Sequence, residues 1–183
     1  MKALAKLLMK MGGWKMKGGI PKEDKAIIIS APHTSVWDWY WGELSFLVAG
    51  VPVYIPIKKE FFFFPVGYLL KALHAIPVDR GKRGNNTLDT LAGAINKYDR
   101  ACVCITPEGT RKLRKRWKKG FLVLSYKTGM PVYLGGLNYE EKYTWIAEEP
   151  FPLTGDVEAD LKAIQNSYRD ARPKYPEQFS IGD

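Results

Sequence analysis

Apolar and polar positions alternate along the chain between two registers. Short continuous apolar runs read as buried strands at Ala26 to Ser30, Val51 to Ile57, Ile76 to Val78, Ala101 to Ile105 and Val132 to Leu137, with Tyr143 to Ala147 a later strand beyond a polar turn. Stretches at helical spacing lie between them. A helix containing Trp37 to Phe46 comes after the first run, and a short one is expected over Val66 to His74. Leu88, Leu91, Ala92 and Ile95 share one face of a helix that Asn86-Thr87 is placed to cap. Gly120 to Thr128 reads as a helix stopped by Gly129, and Val157 to about Ala171 as the last. This alternation predicts an α/β domain.

The first turns carry a different pattern. Leu4, Leu7, Leu8 and Met11 recur at helical spacing with Lys2, Lys6 and Lys10 on the opposite side, and six lysines precede Glu23. A basic amphipathic helix of this kind serves either as an interfacial anchor or as a terminal helix that covers part of the core. Gly12, Gly13, Gly18 and Gly19 loosen the backbone beyond this helix, so residues 1–22 are set apart from a main domain of residues 23–183. The leader lacks the apolar core and cleavage site of a signal peptide. The longest apolar run, Phe61 to Leu70, contains Pro65 and Gly67 and is about half of the ~20 residues a spanning helix needs, so no transmembrane helix is predicted.

A chain of 183 residues with 46% apolar and 26% charged residues is long enough for one domain with a substantial core, and it reads as globular rather than disordered. The net charge of +9 calls for an anionic partner, without choosing among nucleic acid, anionic lipid and phosphorylated metabolites. Cys102 and Cys104, two apart in an apolar strand, point to one face without the geometry of a disulfide or a metal site. Reduced core cysteines of this kind suit a cytoplasmic protein.

Candidate chemistry begins at Ala31-Pro32-His33-Thr34-Ser35-Val36-Trp37-Asp38, where one of only two histidines follows a strand and an aspartate stands five positions on. A histidine with an orienting carboxylate is what hydroxyl deprotonation needs. Thr106-Pro107-Glu108-Gly109-Thr110-Arg111 follows another apolar run and offers backbone amides, a hydroxyl and a guanidinium to an anion. Ser35 has no nucleophile elbow around it and is expected to cap a helix. His74 lies in an apolar stretch without nearby carboxylates or cysteines; it is given a structural role, and no metal site is assigned.

These landmarks resemble the glycerolipid acyltransferases, a family that includes lysophosphatidate acyltransferase. His33 and Asp38 match its His-four-residues-Asp motif, and Pro107 to Arg111 its Pro-Glu-Gly-Thr-Arg motif. Ile76 to Gly81 matches an arginine motif at a strand end, and Met130 to Leu134 a Pro-bearing strand. Tyr175-Pro176-Glu177-Gln178 looks like the ending of several bacterial lipid acyltransferases. The resemblance implies a single α/β domain, glycerol-phosphate-acyltransferase-like, with a mixed, mostly parallel central sheet flanked by helices. It implies transfer of a fatty acyl group from acyl-CoA or acyl carrier protein to the hydroxyl of a lysophospholipid or glycerol-phosphate-type acceptor, with no bound cofactor and no metal.

In that reading His33 is the base and Asp38 fixes its tautomer. Arg80, Gly109, Thr110 and Arg111 serve the phosphate of the acceptor, and Lys59, near the end of a strand, joins them. Glu108 either orients the acceptor hydroxyl or holds Arg111. On its own, Arg80 also reads as a surface partner of Asp79. Arg111 to Lys119 holds seven basic residues in nine positions, interrupted by Leu113 and Trp117. No nucleic-acid module accompanies this run, so it is expected to draw in anionic lipid, coenzyme A or acyl carrier protein rather than nucleic acid. The expected location is cytoplasmic, peripheral to the inner face of the plasma membrane. Trp37 to Trp41 and Phe61 to Phe64 divide between core, acyl path and interface. Two rival readings remain: a non-enzymatic basic adaptor on anionic membrane or RNA, and a thioester hydrolase. Ile105-Thr106 stands before Pro107 where many members carry an aromatic residue, which leaves the acceptor open.

Overall fold

The structure, a computed structural model, describes residues 1–79 and 86–182. Its strands are β1 (Lys15–Gly18), β2 (Lys25–Ser30), β3 (Val53–Lys58), β4 (Ala75–Val78), β5 (Ala101–Ile105), β6 (Val132–Asn138) and β7 (Tyr143–Ile146). The helices are α1 (Lys2–Gly12), α2 (Val36–Ala49), α3 (Val66–Ala72), α4 (Asn86–Ile95), α5 (Gly120–Thr128) and α6 (Val157–Ser167). The strands form one sheet in the order β1-β7-β6-β2-β5-β3-β4. All neighbours run parallel except β6 and β7, which the short turn between them makes antiparallel. The chain is thus a single α/β domain with a mixed, mostly parallel sheet flanked by helices.

Strand β2 lies at the centre, and Ala26 to Ile29 are fully buried because both faces are covered, which is why the run is continuously apolar. On one face Ile27, Ile29, Val103 and Val132 pack with Leu91 and Ile95 of α4, Phe121 and Leu124 of α5, and Ile164 of α6. On the other, Ala26, Ile28, Cys102, Cys104 and Tyr133 meet Phe46 and Ala49 of α2. The two cysteines share that face unbonded, and burial pushes their thiols up to about 11 and about 12.

The leader is built into this domain more closely than its composition indicates. Lys15–Gly18 is an edge strand paired with β7, too short and too basic to show a strand period. Helix α1 docks on α2 through Ala5 and Met9, with Leu8 half-buried and Trp14 stacked on Trp41. Gly12 makes the close approach: a Cβ there would lie 2.3 Å from the Trp41 ring. The face turned inward is one residue round from the expected stripe, and Leu4, Leu7 and Met11 are left exposed. The last helix ends at Ser167 rather than near Ala171. Tyr168 turns into the sheet there, its hydroxyl 3.0 Å from the Ile29 carbonyl and 2.9 Å from that of Gly135. Among the described residues, no helix is long and apolar enough to cross a membrane.

Candidate active site

Because β2, β5 and β6 are parallel, their C-terminal ends open onto one edge of the sheet, where loops from three strands converge. The register pairs Ile29 with Ile105 and Ser30 with Gly135, so His33, Glu108 and Tyr139 each stand a few residues beyond aligned positions. The chain leaves β2 tightly against β6. The Ala31 amide donates to the Gly135 carbonyl at 3.2 Å, and a Cβ at Gly136 would lie 2.2 Å from the Ala31 carbonyl oxygen. Only a glycine at 136 lets the His33 loop sit this low.

Helix α2 begins with a capping box: Ser35 Oγ accepts from the Trp37 amide at 3.2 Å, and the Asp38 carboxylate accepts from the Ser35 amide at 2.8 Å. Ser35 is therefore a cap, as expected. Asp38 is buried, and its oxygens are divided. Oδ2 also takes the Thr34 amide at 2.7 Å and lies 3.3 Å from His33 Nδ1, while Oδ1 accepts the Tyr139 hydroxyl at 2.6 Å. The His33 side chain keeps 21% of its surface exposed. With Nδ1 turned to the carboxylate, Nε2 is the nitrogen left for a substrate.

Glu108, expected either to orient a hydroxyl or to hold Arg111, meets the His33 loop. Its Oε1 accepts from the His33 backbone amide at 2.9 Å, and its buried Oε2 has no partner among the described residues. Burial pushes its carboxyl up to about 7, against the lowering effect of its own backbone hydrogen bond and that of His33. Gly109 holds φ +64°, and a Cβ there would approach Lys118 Nζ to 2.8 Å. Thr110 is half-buried, and its Oγ accepts from the Lys112 amide at 3.3 Å. Arg111 is exposed, as are the other cations through Lys119; Trp117 alone turns inward, its Nε1 donating to the Ser180 carbonyl at 2.9 Å.

The C-terminal segment ties these loops together. The Tyr175 amide donates to Thr34 Oγ at 3.3 Å, and the Tyr139 amide donates to the Arg172 carbonyl at 2.9 Å. With its NH₂ facing inward, the Gln178 side chain donates to the carbonyls of Thr34 at 3.2 Å and Arg111 at 2.5 Å. Lys59 is exposed in the turn after β3, on the same edge but with β5 between its strand and β2. Arg80 lies outside the described residues. His74 follows α3, with φ 56° and its ring against Tyr54, away from this cluster. No group of three metal-ligating side chains occurs among the described residues.

Tyr139 was not legible as a site residue. It reads as one residue of the polar turn between two strands, and only the alignment of β6 beside β2 carries its hydroxyl to Asp38.

Against known proteins, no curated sequence matches the chain. A family model described as Acyltransferase matches residues 15–133, a span that runs from β1 into β6 and includes both motif loops. That match extends over well over half of the chain, and with it the protein belongs to the glycerolipid acyltransferase family.

Proposed function

We propose that the chain moves a fatty acyl group from an acyl thioester, acyl-CoA or acyl carrier protein, to the hydroxyl of a lysophospholipid or glycerol-phosphate-type acceptor. The observation that carries this reading is the 3.3 Å approach of His33 Nδ1 to a buried, fully engaged Asp38 carboxylate. His33 Nε2 takes the hydroxyl proton as the oxygen attacks the thioester carbonyl. The tetrahedral oxyanion then collapses, the carbon–sulfur bond breaks, and the departing thiolate takes the proton from the imidazolium. A positioned base of this kind contributes roughly 10²–10⁴-fold. Asp38 holds the ring and stabilises its charge without itself attacking.

Thr110 and Arg111 serve the acceptor phosphate, with Arg80 and Lys59 as further cations. Gly109 supplies the turn that brings Thr110 and Arg111 forward, and Glu108 fixes the His33 backbone beside them. No cofactor or metal is needed.

An apolar substrate calls for an apolar surface. Phe61, Phe63, Phe64, Tyr68 and Leu69 are 55–82% exposed on the segment that leaves the C-terminal end of β3, among Lys58, Lys59 and Lys71. The Leu4, Leu7 and Met11 strip of α1 is flanked by Lys2, Lys6 and Lys10. Both surfaces suit peripheral association with anionic lipid at the inner face of the plasma membrane.

The test is transfer of labelled palmitoyl from its coenzyme A thioester to a panel of lysolipids and glycerol phosphate, wild type against His33→Ala. Product that falls by at least about a hundredfold in the variant supports the assignment. Retention of more than about a tenth of wild-type turnover, a loss of order one kcal/mol, overturns it.

A further inference from the structure

Among the described residues, the hydroxyl of Tyr139 is the one side-chain group that donates a hydrogen bond to Asp38, and it is spent on the oxygen that does not face the imidazole, whose Nδ1 stands 3.3 Å from the other oxygen. At 2.6 Å this is a short hydrogen bond to a buried carboxylate. Tyr139 is itself held from three sides. Its amide donates to Arg172 in the C-terminal segment, its ring stands edge-on to Trp14 at 5.0 Å, and it follows β6 directly. Its hydroxyl lies on the carboxylate rather than on the open side of His33, so its effect on a substrate must pass through Asp38.

We infer that Tyr139 is a positioning residue of the dyad: its hydroxyl pins Asp38 Oδ1 so that Oδ2 is presented to His33 Nδ1, and it draws carboxylate charge away from the imidazole. This rests on the proposal that His33 is the base. Asp38 Oδ2 takes two backbone amides whose positions are set by the start of α2, which fixes where that oxygen lies. Rotation of the carboxylate about its bond is limited by what holds the other oxygen, and Tyr139 is that contact. The raised hydroxyl of Tyr139, caused by burial first and then by its bond to Asp38, keeps it a donor at every working pH. The titratable groups that face the dyad are Tyr139 from the end of β6, Glu108 from the loop after β5 and, beside Tyr139, Tyr175 from the C-terminal segment.

Tyr139→Phe removes the hydroxyl and keeps the ring against Trp14. Losing the donor frees Oδ1, so the carboxylate can turn away from His33 Nδ1 and the base is held less well. We expect turnover of palmitoyl transfer at pH 7 to fall by about 5–50-fold with the KM for palmitoyl-CoA within about twofold. The chain has two histidines, so the His33 ring signal can also be followed by NMR, with His33→Ala giving its assignment. At fixed pH that signal should change its chemical shift in the Phe variant, whether or not the acceptor used is the right one. Tyr139→Ala, which also strips the Trp14 contact, should lower the melting temperature further than Tyr139→Phe does. Wild-type turnover together with an unmoved His33 ring signal in Tyr139→Phe would overturn the inference. If His33→Ala also kept its activity, the base assignment would fall with it; if His33→Ala were dead, only the role of Tyr139 would.

Discussion

Asp38 is the residue on which local structure and chemistry meet. Its carboxylate closes the capping box of α2, accepts the Thr34 amide and faces His33, so one side chain fixes the helix start, the loop and the ring. These duties separate on substitution. Asp38→Asn keeps an oxygen acceptor for the backbone amides but loses the charge that stabilises the imidazolium. We expect turnover to fall by about a hundredfold or more while urea unfolding shifts by only about 1 kcal/mol, the worth of a cap. Comparable losses in both would show that Asp38 acts by holding the fold alone. The histidine and aspartate were legible in the sequence because five-residue spacing beyond a strand is a local property. The third partner, Tyr139, is 101 positions from Asp38 and carried no local sign.

Among the elements, the β2–β6 pair decides how deep the site lies. Gly135 and Gly136 sit where the chain leaves β2, and at 136 a methyl group would collide with the Ala31 backbone. Gly136→Ala must therefore push the Ala31–His33 segment away from β6. We expect a loss of about 1–3 kcal/mol in chemical unfolding and a fall in kcat larger than any change in KM, since the displaced group is the base. Helix α1 makes a different point. Ala5 and Met9 hold it to α2, whereas Leu4, Leu7 and Met11 stand exposed. Replacing those three with serine should leave the melting temperature within about 2 °C of wild type and weaken co-sedimentation with phosphatidylglycerol vesicles by about tenfold or more, in keeping with the loss of three exposed apolar side chains. Unchanged vesicle binding would move the interface to the Phe61 to Leu69 surface. The amphipathic period was visible in the sequence, but which of two adjoining stripes faces inward depends on the position of Trp41, and periodicity carries no such information.

On the scale of the whole molecule, two buried carboxyls bias stability with pH. Burial raises Glu43 and Glu108 from 4.5 to about 7, so the folded chain keeps protons that the unfolded chain has released. Their contribution to stability is greatest below 4.5 and is lost as pH rises through about 7. Glu43→Gln, outside the dyad, should remove about 1–3 kcal/mol of the decline in unfolding free energy between pH 5 and pH 8; an unaltered slope would place that decline elsewhere. The sequence by itself determined the strands and helices of the domain, the reduced cysteines on one face, and the two motif loops, because each is set by apolar period, turn residues or short spacing. Within residues 1–22 the glycines and lysines give no sign of a four-residue edge strand that only pairing with β7 makes. Tertiary structure alone decided the sheet order, the descent of the His33 loop onto β6, the turn of Glu108 toward the His33 amide, and the meeting of Tyr139 and Gln178 with that loop. Those contacts join residues about 70 to 140 positions apart, and nothing local in a chain records which distant strand end will lie beside which.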